Sequence, residues 1–207
     1  MNLANKITIM RICLVPFLII FIELQTFWSS IFAVIVFSVA SITDLLDGQI
    51  ARRSNTVTSL GIFLDPLADK LLISAAFICF VDIPSLGIPA WMVIVIISRE
   101  FLITGLRTIA AAKNVIIPAD KAGKIKTTTQ IVAIIIILIV LINEAYFLKF
   151  YGITPQLIAT FKSGYYGMLA QILYKIPFWV ALITTILTVY SGAHYIWKHR
   201  KLLKENA

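Results

Sequence analysis

The sequence is poor in charge. Only 14% of its 207 residues are Asp, Glu, Lys or Arg, against roughly 25% in an average soluble domain. Acids are the scarcer sign, with 10 Asp plus Glu beside 18 Lys plus Arg. Two cysteines, Cys13 and Cys79, both in apolar stretches, are too few for a disulfide framework. Two histidines argue against a His-built metal site. His194 and His199 close the last apolar run and read as interfacial residues. So little polar surface excludes a nucleic-acid-binding domain, a disordered chain and an ordinary soluble enzyme. Nucleic acid is therefore not an expected partner.

What is present is apolar. Hydrophobic residues make up 60% of the chain and the mean hydropathy is +0.95. The class this fits is an all-α, polytopic membrane protein, with residues 1–207 as a single membrane domain. A span needs ~20 mostly apolar residues at 1.5 Å rise each. About six transmembrane helices are expected, over residues 8–27, 24–43 (with the intervening turn within 25–30), 61–81, 88–110, 127–141 and 176–197. Lys6 and Arg11 ahead of the apolar run 12–22 imitate a signal peptide. No small-residue cleavage pattern follows, so the run reads as the first span. Residues 144–175, interrupted by Gly152, Pro155, Gly164 and Gly167, read as an outer loop with a short interfacial helix. Trp28, Trp91, Trp179 and Trp197 read as interface anchors.

The basic excess sets the orientation. With both termini cytoplasmic, the inside receives twelve basic residues: Lys6, Arg11, Arg52, Arg53, Lys113, Lys121, Lys124, Lys126, Lys198, Arg200, Lys201 and Lys204. The outside receives only Lys149, Lys162 and Lys175. Cytoplasmic Lys and Arg of this kind also meet membrane-lipid headgroups.

Four of the six aspartates lie within 26 residues: Asp44, Asp47, Asp65 and Asp69. An ionised carboxylate at the centre of a span costs about 2.5–3.5 kcal/mol on insertion scales. Four of them must face a wet cavity, a cation or each other. Asp44 and Asp47 are three apart, and Asp65 and Asp69 four apart, so each pair shares a helix face. A short loop around residues 53–59 makes the two helices antiparallel neighbours, with both pairs at the cytoplasmic end. Converging carboxylates repel unless cations lie between them, and hard oxygen ligands suit two divalent ions, Mg²⁺ or Mn²⁺. Gly48 leaves room for a ligand beside Asp47, Ala51 is again small, and Arg52 can reach a phosphate from the same face. Gly61 opens space on the second helix, and Pro66 fits a first helical turn with Asp65 as its cap.

The pattern Asp44-x-x-Asp47-Gly48-x-x-Ala51-Arg52, eight residues, Gly61-x-x-x-Asp65-x-x-x-Asp69 resembles the signature of the CDP-alcohol phosphatidyltransferase family. All eight fixed positions are present at the family's spacing. The resemblance implies that Asp44, Asp47, Asp65 and Asp69 hold two metals that clamp the diphosphate of a CDP-linked lipid. It implies that Asp69 is also the general base for an alcohol that attacks the lipid-side phosphorus, releasing CMP. Gly48, Arg52 and Thr58 would contact the cytidine diphosphate, with Ala51 and Gly61 giving clearance. A homodimer is implied too.

The acceptor is read from the cations. Arg99-Glu100 and Arg107 lie eight residues apart on nearly one face, and Glu100 is expected to pair only one of the two arginines. Gly123-Lys124-Ile125-Lys126-Thr127 sets two lysines and a hydroxyl at a helix start, a good anion site. It is no P-loop, since Pro118 stands where that motif needs glycine. Two basic groups of separate origin suggest an alcohol carrying its own phosphate. Arg107, Lys124, Arg99 and Lys126 are the candidates for binding it, with Thr8 and Arg11 as further substrate contacts. The stretch 63–70, the segment 123–127 and Asn5-x-x-Thr8-x-x-Arg11 resemble the bacterial glycerol-3-phosphate branch of the family. The reaction implied is CDP-diacylglycerol plus glycerol 3-phosphate, in the bacterial inner membrane with the site on the cytoplasmic side. The alternative keeps the chemistry with another alcohol: phosphatidylglycerol giving cardiolipin, or serine or inositol phosphate. A cation transporter would spread its carboxylates through the membrane depth and leaves Gly48, Ala51 and Arg52 unexplained. A protein that holds CDP-lipid without turnover would release no CMP.

Overall fold

The computed structural model describes residues 3–54, 59–112, 121–154, 157 and 164–198. Within these, side chains are described outside 3–6, 44–54, 59–66, 69, 112, 121–122, 124 and 164–173. Among the described residues the protein is all-helical. Six long helices follow in order: α1 (Leu3–Glu23), α2 (Phe27–Ser54), α3 (Ser59–Val81), α4 (Ala90–Ala112), α5 (Lys121–Tyr151) and α6 (Gly164–Lys198). A short 3₁₀ turn, Pro84–Leu86, lies between α3 and α4.

The breaks have local causes. Gln25 takes a left-handed φ of 46° after α1. Thr26 then caps α2 reciprocally: the Ser29 N–H donates to Thr26 Oγ1 at 3.3 Å, and the Thr26 N–H donates to Ser29 Oγ at 3.0 Å. The turn therefore closes by Thr26, earlier than expected, and Ser29 and Ser30 are already helical. Gly87 (φ 59°) closes the 3₁₀ turn by donating its N–H to the Pro84 carbonyl. Gly152 (φ 66°) ends α5 with its N–H on the Leu148 carbonyl at 3.1 Å.

Two expectations are corrected here. Residues 144–175 are not loop at their ends: α5 continues to Tyr151 and α6 starts at Gly164, with Leu157 helical between them. No Gly or Pro lies between Gly123 and Gly152. The ring pairs Tyr146–Phe150 and Phe147–Tyr151 brace that last stretch one turn apart. Pro66 lies inside α3 and not in a first turn, because that helix begins at Ser59. Proline within a helix is tolerated where neighbouring helices or side chains satisfy the freed backbone.

The helices pack as a ring. α1 lies against α2 and α3, α2 against α5, α5 against α6, α6 against α4, and α4 against α3, with α3 also touching α5. Inward residues recur every three or four positions: Val15, Leu18 and Ile22 on α1, and Leu72, Ala76 and Phe80 on α3. Polar side chains join them, including Thr8, Arg11, Gln130, Thr184, Thr188 and Ser191, all buried. The exterior is apolar instead, with Phe17, Ile35, Ile78, Ile94, Ile183 and Ile186 exposed. That distribution suits a hydrocarbon solvent. By length and composition, Ile125–Tyr151 and Tyr174–Lys198 can each cross a membrane, while Phe27–Thr43 and Lys70–Val81 are apolar but shorter.

Side-chain bonds fasten both ends of the ring. At one, the Ser85 hydroxyl donates to Glu144 Oε2 at 2.7 Å. The Lys149 ammonium sits 5.2–5.4 Å from the Phe27, Trp28 and Phe150 ring centres. At the other, Arg99 of α4 crosses onto α6, where Nη2 donates to Ser191 Oγ at 2.7 Å. Its Cγ would stand 3.0 Å from a Cβ at Gly192. Glycine there gives the arginine its path across the helix. Cys13 is exposed and Cys79 buried, and both are free thiols.

Two stability measurements follow in detergent. Gly192→Leu displaces Arg99 and costs about 1–3 kcal/mol by overpacking. Gly192→Ala costs less than about 1 kcal/mol, because helix propensity offsets a small shift of Arg99. Phe77→Ala, at a fully buried ring, costs about 3–5 kcal/mol. Ile94→Ala, on the exposed face, stays within about 0.5 kcal/mol. Thermal unfolding of the purified protein checks both sets.

Candidate functional site

Chain direction determines which residues share an end of the ring. Successive helices joined by short connections alternate in direction. The C-terminal ends of α2, α4 and α6 therefore lie with the N-terminal ends of α1, α3 and α5. The Glu100–Lys126 and Arg99–Ser191 links of α4 with α5 and α6 agree with this. The candidate site residues that the structure describes lie in this half of the bundle or, for Arg99 and Glu100, near its middle. The Ser85–Glu144 bond marks the opposite half.

The backbone carries the acidic motif on two continuous helices. Asp44, Asp47, Gly48, Ala51 and Arg52 occupy the last turns of α2, and Gly61, Asp65 and Asp69 the first half of α3. The side chains of Asp44, Asp47, Arg52, Asp65 and Asp69 lie outside the described residues, as do Ala51 beyond its backbone and all of Thr58. Their neighbour Ala68 is fully buried, so α3 faces the interior at this level. Among the described residues no group of three or more His, Cys, Asp or Glu side chains gathers to hold a metal. The donor set the motif supplies consists of four carboxylates, which fits hard divalent cations and not soft ones.

α1 contributes from beside α2 and α3. Thr8 and Arg11 are buried at 2% and 3% exposure, on the same face as Val15 and Leu18. Both are engaged with neighbouring groups. Arg11 is therefore an interior residue and not a loop charge. The α1–α2 hairpin folds about Thr26, which brings Thr8 roughly level with residue 43, just before Asp44.

The cations on α4 and α5 divide. Glu100 Oε1 receives Lys126 Nζ, Arg99 Nη1 at 3.5 Å and Gln130 Nε2 at 3.4 Å. Of the two arginines, Glu100 meets Arg99, and the same carboxylate oxygen also takes Lys126. Lys126 is 4% exposed, so it too is not a surface topology charge. Arg99 spends its other arm on Ser191. Arg107 is exposed two turns further along α4, near the Tyr195 phenol. The segment 123–127 lies within the first two turns of α5, which starts at Lys121. Thr127 Oγ1 is turned back onto the Gly123 carbonyl at 3.2 Å, so its hydroxyl caps no free anion site. The side chain of Lys124 lies outside the described residues.

Gln130, Ser191, Gly192 and Tyr195 escaped sequence reasoning. Gln130 did carry a signal, as the amide that heads the apolar run 131–142. Ser191 and Gly192 looked like ordinary small residues near a helix end. Nothing in the sequence pairs them with an arginine 92 positions away.

Two comparisons bear on this arrangement. Residues 1–190 match the profile of the family described as CDP-alcohol phosphatidyltransferase. Among curated relatives, a Bacillus subtilis (strain 168) protein is 47% identical over 145 residues, covering 64% of this chain and 74% of its own length. A Rickettsia felis protein is 34% identical over 191 residues and covers 92% of both chains. An Escherichia coli (strain K12) protein is 36% identical over 139 residues, covering 64% of this chain and 74% of its own. All three are named CDP-diacylglycerol–glycerol-3-phosphate 3-phosphatidyltransferase. The family match runs through both helices of the acidic motif and on into α6, and on that ground the chain belongs to the CDP-alcohol phosphatidyltransferase family.

Proposed function

We infer that this membrane protein transfers the phosphatidyl group of CDP-diacylglycerol to glycerol 3-phosphate, giving phosphatidylglycerophosphate and CMP. The observation that carries the reading is the complete acidic motif on α2 and α3 of a family member whose curated relatives bear that activity in their names. The basic residues of α4 and α5 at the same end supply what a phosphate-bearing acceptor needs.

The proposed division of labour follows the helices. Asp44, Asp47, Asp65 and Asp69 would hold two divalent ions, Mg²⁺ or Mn²⁺. Bound there, such ions would screen the diphosphate and make its phosphorus more electrophilic. Arg52 would pair with the diphosphate, Gly48 and Thr58 would contact the cytidine diphosphate, and Ala51 and Gly61 would leave it room. Thr8 and Arg11 would reach the substrate from α1. Arg107, Lys124, Lys126 and Arg99 would hold the acceptor's own phosphate and so aim its free hydroxyl at the lipid-side phosphorus. Asp69 would take the proton as that hydroxyl attacks. The new P–O bond joins glycerol 3-phosphate to the lipid, the P–O bond to CMP breaks, and CMP leaves with the electron pair.

The same reading treats residues 1–207 as one domain with six spans, both termini in the cytoplasm and the site at the cytoplasmic face of the bacterial inner membrane. The native protein would be a homodimer. A multi-pass enzyme suits this reaction because CDP-diacylglycerol is held in the bilayer while glycerol 3-phosphate arrives from water.

The assay mixes purified protein with CDP-diacylglycerol, labelled glycerol 3-phosphate and Mg²⁺ or Mn²⁺. CMP release with label in a phospholipid is expected, lost with a chelator and restored by either ion. Asp69→Asn lowers the rate by at least ~100-fold, the scale of a lost general base. CMP release only with phosphatidylglycerol, serine or inositol phosphate would move the acceptor. A folded protein that binds CDP-lipid but releases no CMP with any acceptor would end the enzyme reading. Topology has its own check, in a background with Cys13 and Cys79 replaced by alanine. An impermeant maleimide added to intact cells labels Asp82→Cys, whereas Lys198→Cys reacts only after permeabilisation.

A further inference from the structure

Glu100 stands outside the acidic motif, on a different helix from any of its aspartates. It is nonetheless the meeting point of three elements. Lys126 of α5 pairs with Oε1, Gln130 one turn further donates to the same oxygen at 3.4 Å, and Arg99 approaches it at 3.5 Å while bonding Ser191 of α6. The site is largely buried: the Lys126 side chain is 5% exposed, those of Glu100 and Arg99 13%, and Gln130 is fully buried. A lysine has four rotatable stem bonds and a point charge with no geometry of its own. Only a fixed counter-charge holds such a group in one place in a low-dielectric interior. The amide of Gln130 restrains the carboxylate, and the carboxylate restrains the lysine.

We propose that Glu100 is a positioning residue for the acceptor alcohol, setting Lys126 and Arg99 where they meet the acceptor's phosphate while taking no part in holding the CDP-lipid. This rests on the acceptor reading above. It follows from placement: the network ties α4, α5 and α6, whereas the motif for the CDP-lipid and metals lies on α2 and α3. Loss of the carboxylate removes the Glu100 anchor of the lysine and weakens the acceptor phosphate's hold, leaving α2 and α3 alone.

The test is a steady-state kinetic cycle on the purified full chain with Glu100→Gln, Lys126→Met and the double variant. Glutamine keeps the shape of glutamate and removes only the charge. The KM for glycerol 3-phosphate rises about tenfold in each single variant, and the double variant is no worse than Lys126→Met, as for two residues acting as a unit. The KM for CDP-diacylglycerol stays within twofold of wild type. Glu100→Asp, which keeps the charge, recovers part of the acceptor KM. A rise in both KM values together with a lowered melting temperature would assign Glu100 a merely structural role and overturn the proposal. So would multiplicative effects of the two substitutions. An acceptor KM raised by Lys126→Met but untouched by Glu100→Gln removes the Glu100 inference and leaves the acceptor reading standing. An acceptor KM untouched by Lys126→Met, or a wild type that ignores glycerol 3-phosphate, removes the acceptor reading itself.

Discussion

A charge cannot face hydrocarbon, and this constraint orders the molecule. The helices turn isoleucine, valine and phenylalanine outward, so Arg11, Arg99, Glu100, Lys126 and Gln130 have only the interior left. There they must meet opposite charge or hydrogen-bonding partners. The Glu100 carboxylate answers for two cations and an amide at once, and Ser191 takes the remaining arm of Arg99. Small residues let these links form, as Gly192 does under Arg99. The far half of the bundle uses gentler means: a hydroxyl on Glu144, and an ammonium among three aromatic rings.

Much of this was legible in the sequence because hydrocarbon imposes simple length and composition rules. The helices appear where apolar runs are long, and the all-helical class follows directly. The acidic motif was legible because four aspartates in an apolar chain have few roles open to them. Boundaries were less legible. Residues 144–151 look broken only because Gly152 and Pro155 follow so soon. The chain stays helical to Tyr151, since nothing before Gly152 breaks it. Pro66 looked like a helix start, yet the helix had already begun at Ser59. Serine 29 looked like turn and is the reciprocal half of a cap.

Long-range partners were not legible at all. Lys126 and Arg11 counted as topology charges in one dimension and are buried in three. A sequence shows that Glu100 is adjacent to Arg99. It does not show that a lysine 26 positions on will share the same oxygen. That pairing depends on how α4, α5 and α6 cross, which local propensity does not encode. Topology also explains how separate helices come to serve one reaction on the proposed reading. α2 and α3 bring carboxylates, α4 and α5 bring cations, and alternation of direction delivers both to one end.

The most direct measurement is the anomalous scattering of Mn²⁺ in crystals grown with Mn²⁺ and a CDP-lipid. The account predicts manganese between α2 and α3, coordinated by Asp44, Asp47, Asp65 and Asp69, at the end of the bundle that holds Lys126. Manganese elsewhere, or none in crystals that hold the CDP-lipid, would contradict it.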